Sequence, residues 1–190
     1  MSTSVKQLVT AEELWDMPEV PGKRLELVDG EVVEMPGAGA LHGLILFALA
    51  QLLSDFVRRH NLGLVTPDGV AYLLRRDPDQ IRIPDTSFVA WDLVPEDGAP
   101  EGFWNGAPTL AIEVVSPNDR ADDIQARVQD YLGAGSAQVW VLWPRTRSVS
   151  VYRPHTDTRQ LGAEDALDGG DILPGFSVRV GDLFDVRRRR

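Results

Sequence analysis

Cysteine is absent from the 190 residues. That excludes a disulfide framework, a thiolate zinc site and a thiol nucleophile, and it fits a reducing compartment. Lysine is scarce as well: Lys6 and Lys23 stand against 17 arginines, so any role that needs an amine falls to one of two residues. Positive charge is outweighed overall. A formal net charge of −10 argues against a protein that coats nucleic acid through a broad basic face, because counterion release needs such a face. Arg58, Arg59, Arg75, Arg76 and Arg82 fall in one section of sequence and leave room for a local basic patch. The opening MSTSVKQLVT lacks the basic start and apolar core of a signal peptide, and the longest apolar helix pattern is interrupted by polar residues short of a membrane span. A cytoplasmic location without membrane association is the expectation. No internal repeat stands out, and Gly37-Ala38-Gly39-Ala40 has neither the GxGxxG nor the Walker spacing, so it reads as a loop.

What remains is an ordinary globular composition, long enough for one full core and cramped for two. A single domain over 1–186 is expected, followed by the basic tail 187–190, which reads as a solvated charge run. The chain is organised around TLAIEVVSPNDRADDIQARVQDYLGAGSAQVWVLWP. There an apolar strand, Thr109 to Val115, carries one carboxylate, Glu113; a helix and a second apolar strand, Gln138 to Trp143, follow. Apolar runs of this kind are strands covered on both faces. A buried, ionised Glu113 would cost several kcal/mol unless paired, hydrogen-bonded or metal-bound. Its partner is either an arginine within the sheet or a cation.

Upstream, Thr10 and Glu13 form a capping box for a short helix. Arg24–Val28 and Glu31–Met35 flank Asp29-Gly30, a turn favoured by the twist of a β-hairpin. Glu26 lies on the face opposite Leu25 and Leu27, either solvated or aimed into a cleft. Leu41, Leu44, Ile45, Ala48, Leu49, Leu52, Leu53 and Phe56 recur at helical spacing and predict a long helix with one wide buried stripe. His42 lies in its first turn, where the helix dipole disfavours the imidazolium; it is either a satisfied core histidine or a site residue. Leu64–Leu74 reads as one strand or a bent pair with its break at Asp68-Gly69, and Ile81–Ala90 as the next strand, with Pro84-Asp85 as a bulge or edge inside it, where Asp85 is either aimed toward a site or a bend residue bonded to its own backbone. Asp92–Ala107 is a long acidic loop. Ser116 as N-cap and Pro117 at the first turn predict the start of the next helix, whose edge carries Arg120, Asp123 and Arg127. Ser148–Arg153 is a further strand, and Val180–Phe184 a last short helix. The order implies an α/β sandwich around a mixed sheet. Asp85 and Glu113, on strands expected to be neighbours, form an oxygen pair suited to magnesium, which keeps several waters and needs only one or two carboxylates.

The succession ELVDGEVVEMPG, His42 opening a long helix, IPDTSFV, GAPTLAIEVVSP and AQVWVLWP resembles the Uma-type restriction endonuclease family of the PD-(D/E)XK nuclease superfamily, over about residues 8 to 185. The resemblance implies a restriction-endonuclease-like α/β fold, a mixed β-sheet flanked by helices with an N-terminal β-hairpin. Asp85 would be the acidic residue of the PD element and Glu113 the second ligand of Mg2+ or Mn2+. Glu26 and His42 would border the active site, and the activity would be hydrolysis of DNA phosphodiester bonds by metal-activated water. A homodimer would follow from how such enzymes cut two strands. The chain departs from the pattern at Val115, where the superfamily has lysine. The family alternative, a lysine on the following helix, corresponds to Arg127, which can stabilise negative charge but cannot act as a base. A degenerate nuclease fold that binds DNA or protein without cleaving, and a two-carboxylate glycosidase without metal, are the competing readings.

Overall fold

The computed structural model describes residues 8–185; the 187–190 tail and Lys6 lie outside that range. Helix α1 (Ala11–Trp15) carries the expected capping box: the Thr10 hydroxyl accepts from Glu13 N, and the Glu13 carboxylate accepts from Thr10 N. The hairpin β1 (Lys23–Val28) and β2 (Glu31–Pro36) turns at Asp29 and Gly30, both at positive φ, as a two-residue turn between twisted strands requires.

Helix α2 (Ala40–His60) is followed by β3 (Gly63–Thr66) and β4 (Tyr72–Arg75), then by β5 (Gln80–Arg82) and β6 (Thr86–Ala90). A 3-10 turn at Trp91–Leu93 and the short β7 (Trp104–Asn105) interrupt the acidic loop. Strand β8 (Leu110–Val114), helix α3 (Ala121–Gly133) and β9 (Gln138–Trp143) form the parallel crossover unit; β10 (Ser148–Tyr152), β11 (Arg159–Leu161), β12 (Ala166–Gly169), β13 (Leu173–Arg179) and α4 (Val180–Leu183) complete the order. The strands make two mixed sheets and a ribbon. One sheet runs β2-β1-β5-β4-β7, the other β11-β10-β9-β8-β6-β3, and β12 pairs with β13.

Leu64–Leu74, read as one strand or a bent pair, and Ile81–Ala90, read as one strand with a bulge, are each two strands in different sheets. The chain crosses from one sheet to the other at Asp68-Gly69, between β3 and β4, and crosses back at Pro84-Asp85, between β5 and β6. Proline has no amide to give to a ladder, so pairing ends there. The crossing is fastened by hydroxyls: Ser87 Oγ lies 2.5 Å from Thr66 Oγ1 and 2.6 Å from Tyr72 Oη, all three buried.

Helix α2 is covered over only half of its expected stripe. Ile45, Leu49, Leu53 and Phe56 are buried with Ile112, Val114 and Trp140 in the main core, whereas Leu41, Leu44, Phe47 and Leu52 are exposed. Periodicity locates an apolar face but not the width of what covers it. By length and composition alone this helix is long and apolar enough to cross a membrane, contrary to the expectation that its pattern stops short; its inner face is occupied by the core just described. Helix α3 also differs. It begins at Ala121 with Arg120 as N-cap rather than at Ser116. Ser116 and Asp119 instead close a turn on themselves, Ser116 N to Asp119 Oδ2 at 2.7 Å and Asp119 N to Ser116 O at 3.1 Å.

Candidate active site

The site lies where the two sheets meet. Antiparallel β6 and β8 pair Ser87 with Ala111 and Thr86 with Ile112; continued by one residue, that register sets Asp85 opposite Glu113. Residues directly opposite in a sheet present their side chains to the same face. Asp85 and Glu113 are buried, at 4% and 6% exposure.

Each of these carboxylates has one oxygen held by hydrogen bonds and one without a hydrogen bond among the described residues. Asp85 Oδ2 accepts from Val114 N at 2.7 Å and lies 3.0 Å from His42 Nε2, while its Oδ1 has only the Arg24 guanidinium at 3.8 Å. Glu113 Oε1 accepts from Tyr131 Oη at 2.9 Å and from Arg127 Nη1 at 3.5 Å; its Oε2 takes no side-chain hydrogen bond among the described residues. Burial pushes the Glu113 carboxyl up to about 8, against the opposing pull of Arg127, and the charges of Asp85 and Glu26 add to the rise.

His42 faces inward from the first turn of α2 and belongs to this group. Burial lowers the basicity of its imidazole, but the hydrogen bond to Asp85 and the charge behind it raise it more, so its pKa lies above the usual histidine value. Asp85 thereby overrides the helix-dipole effect expected from position alone. His42 Nδ1 is buried without a hydrogen-bond partner among the described residues, so it is not a fully satisfied core histidine.

Glu26 is 1% exposed, which rules out the solvated reading. It is held by two arginines and an amide: Arg127 Nη1 and Nη2 at 2.9 Å each, Arg82 Nη1 at 2.9 Å, and Ile83 N at 2.9 Å. Arg82 continues to Asp130 Oδ2 through Nε at 2.7 Å, and Gln80 joins at 2.8 Å. Arg127 is therefore committed to Glu26 rather than standing on a solvated helix edge. It is buried, and although burial opposes its charge, Glu113 and Glu26 more than offset this and hold it cationic. Glu113 does meet an arginine, as one sequence reading required, but from α3 rather than from within the sheet. Arg120, the other arginine on that edge, is exposed beside Asp122. Lys23 pairs with Glu34 at the hairpin edge and supplies no amine to the site.

Sequence reasoning did not assign Arg24, Asp68 or Tyr131 to the site, and it read Arg82 only as part of a local basic patch. Tyr131 had a further signal, a phenol on the buried stripe of α3 that must find a hydrogen-bond partner.

The sequence profile of a family described as "Uma2: Putative restriction endonuclease" matches residues 11–181. The chain belongs to the Uma2 family. Among solved structures, a protein from Anabaena variabilis described as a "putative nuclease belonging to DUF820" superposes with a TM-score of 0.83 at 20% identity, covering 94% of this chain and 98% of that one. At that identity the likeness shows the fold. No curated protein matches the chain. The Uma2 assignment gives the resemblance of ELVDGEVVEMPG, IPDTSFV and GAPTLAIEVVSP a span of most of the chain.

A resident divalent cation is implied by that family and can be tested against the residues present. Among the described residues no three histidine, aspartate or glutamate side chains stand together as a metal cluster; Asp85 and Glu113 are a pair. The pair fits a hard cation that retains waters. Its free oxygens, Oδ1 and Oε2, are the ones not consumed by His42, Val114, Tyr131 and Arg127, and fixing one oxygen of a ligating carboxylate is how an outer shell orients the other.

Proposed function

We propose that this Uma2 protein is a metal-dependent endonuclease that hydrolyses DNA phosphodiester bonds at Asp85 and Glu113. One observation carries the reading: two buried carboxylates from adjacent strands, each with one oxygen fixed by the protein and the other left open. Mg2+ or Mn2+ held by Asp85 and Glu113 would polarise the phosphoryl oxygen and supply acidified water as nucleophile. The chain's own residues do the rest. His42 and Val114 N hold Asp85 Oδ2, leaving Oδ1 without a hydrogen bond among the described residues. Tyr131 and Arg127 hold Glu113 Oε1. Glu26 anchors Arg127 through both terminal nitrogens, which makes Arg127 a fixed positive charge behind Glu113 rather than a hand that closes on the phosphate.

The test is nicking of supercoiled plasmid. Nicks should appear in magnesium or manganese, vanish in chelator, and be lost with Glu113→Gln. Calcium should support binding without cleavage, since it fills oxygen sites but is a poorer Lewis acid. A second reading, a DNA binder on a degenerate nuclease fold, is favoured by the commitment of Arg127 to Glu26 and by the absence of a site lysine among the described residues. Retardation of DNA without nicking, across metals and pH, would establish it.

A further inference from the structure

We propose that Arg24 is the phosphate-gripping residue of this cleft, resting between Asp68 and Asp85 until a phosphodiester takes the place of Asp68. The proposal rests on the reading of DNA as substrate. It starts from the strand: Arg24 precedes Glu26 by two residues on β1, so both side chains leave the same face. Among the described residues three arginines border the site, and one of them is available. The Arg127 and Arg82 side chains are 6% and 7% exposed and locked onto Glu26, whereas Arg24 is 25% exposed.

Arg24 Nη1 forms an ion pair with Asp68, and the same nitrogen lies 3.8 Å from Asp85 Oδ1, the oxygen that His42 and Val114 leave open. Asp68, at 38% exposure, stands on the outer side. Its turn is held at both ends by the hydroxyl cluster of Thr66, Tyr72 and Ser87, so the resting acceptor has a fixed position. Of the three guanidinium groups, this is the one that a phosphodiester at Asp85 can reach from solvent. Guanidinium binds phosphate and carboxylate through the same planar fork, so exchanging Asp68 for phosphate leaves the cation paired in both states. A partly exposed ion pair contributes little to folding, and releasing it costs correspondingly little.

Fluorescence anisotropy of a labelled DNA duplex in calcium, across a salt series, tests this. Arg24→Ala should weaken binding on the order of tenfold and flatten the slope of log affinity against log salt by about 0.9, the share of one phosphate contact. Asp68→Asn should act in the opposite direction and tighten binding severalfold, which a merely structural pair would not do. Arg24→Lys, which keeps the charge and loses the fork, should give intermediate affinity with the wild-type salt slope, and serves if the alanine variant fails to fold. Wild-type affinity and slope in Arg24→Ala, with metal-dependent nicking intact, would overturn the assignment of Arg24 and leave the nuclease reading standing. Loss of affinity in Arg24→Ala from a wild type that never nicks would support Arg24 and sink the nuclease reading. A wild type that binds no DNA would overturn both.

Discussion

Glu26 and Glu113 are withdrawn from solvent to nearly the same degree, at 1% and 6% exposure, yet the chain treats them in opposite ways. Glu26 receives two guanidinium groups and an amide, all at 2.9 Å. Glu113 receives one phenol at 2.9 Å and one guanidinium at 3.5 Å, and shares its surroundings with the charge of Asp85. Burial alone therefore does not mark a site. A carboxylate satisfied on every side is part of the scaffold, whereas one left with an open oxygen and a raised pKa has been kept for something else.

The largest effect expected from breaking this contrast is on Glu26. Glu26→Gln removes the anion that Arg127 and Arg82 share, leaving Arg127 only Glu113 at 3.5 Å and Arg82 only Asp130, and stability should fall by about 3 kcal/mol in denaturant unfolding. Glu113→Gln in chelator should leave stability the same or raise it. Equal losses in the two variants would erase the distinction between scaffold and site.

Acidity sharpens the comparison. The Glu113 carboxyl keeps its proton in the folded protein to about pH 8, against an ordinary value of 4.5. Between those values the unfolded chain holds fewer protons, so this group's contribution, full below pH 4.5, is lost as pH rises towards 8. Melting temperatures of the metal-free protein measured from pH 5 to 8.5 should therefore fall more steeply for wild type than for Glu113→Gln. Parallel curves would mean that Glu113 is ionised throughout.

Arg127→Lys comes next. The family resemblance implies a lysine at this position, and by it a lysine here should keep or raise activity. The two 2.9 Å bonds to Glu26 require a planar fork, so we expect the lysine variant to lose about 1–3 kcal/mol of stability and to show whether an amine can serve Glu113 instead. Single-turnover cleavage at saturating manganese separates the two effects. The smallest change should come from Asp130→Asn, which meets Arg82 and Gln80 at the outer end of the network with a side chain 27% exposed; about 1 kcal/mol is expected, with nicking unaffected.

How much of this was legible in the sequence follows from the range of the contacts. The hairpin at Asp29-Gly30, helix α2 and the β8-α3-β9 unit are written in local periodicity and turn chemistry, and Pro84-Asp85 and Glu113 stand out as polar interruptions of apolar strands. The expected mixed sheet is present as two, because Asp68-Gly69 and Pro84-Asp85 each end a strand in one sheet and begin one in the other. That division brings Arg24 and Asp68 to Asp85, and no local pattern encodes it. Arg127 sat on the edge of its helical stripe, as phase predicted, but its partner Glu26 is 101 residues away. The outer face of α2 was misjudged for a related reason: Leu41, Leu44 and Leu52 have the spacing of core residues, yet no described residue covers them enough to bury them.

Manganese titration calorimetry on wild type, Asp85→Asn and Glu113→Gln tests the central claim most directly, because it asks whether the two open oxygens share a cation without requiring turnover. The account predicts one site in the wild type, strongly weakened in both variants, with binding that tightens as pH rises through 8 and Glu113 gives up its proton. Wild-type manganese affinity retained in both variants would contradict it.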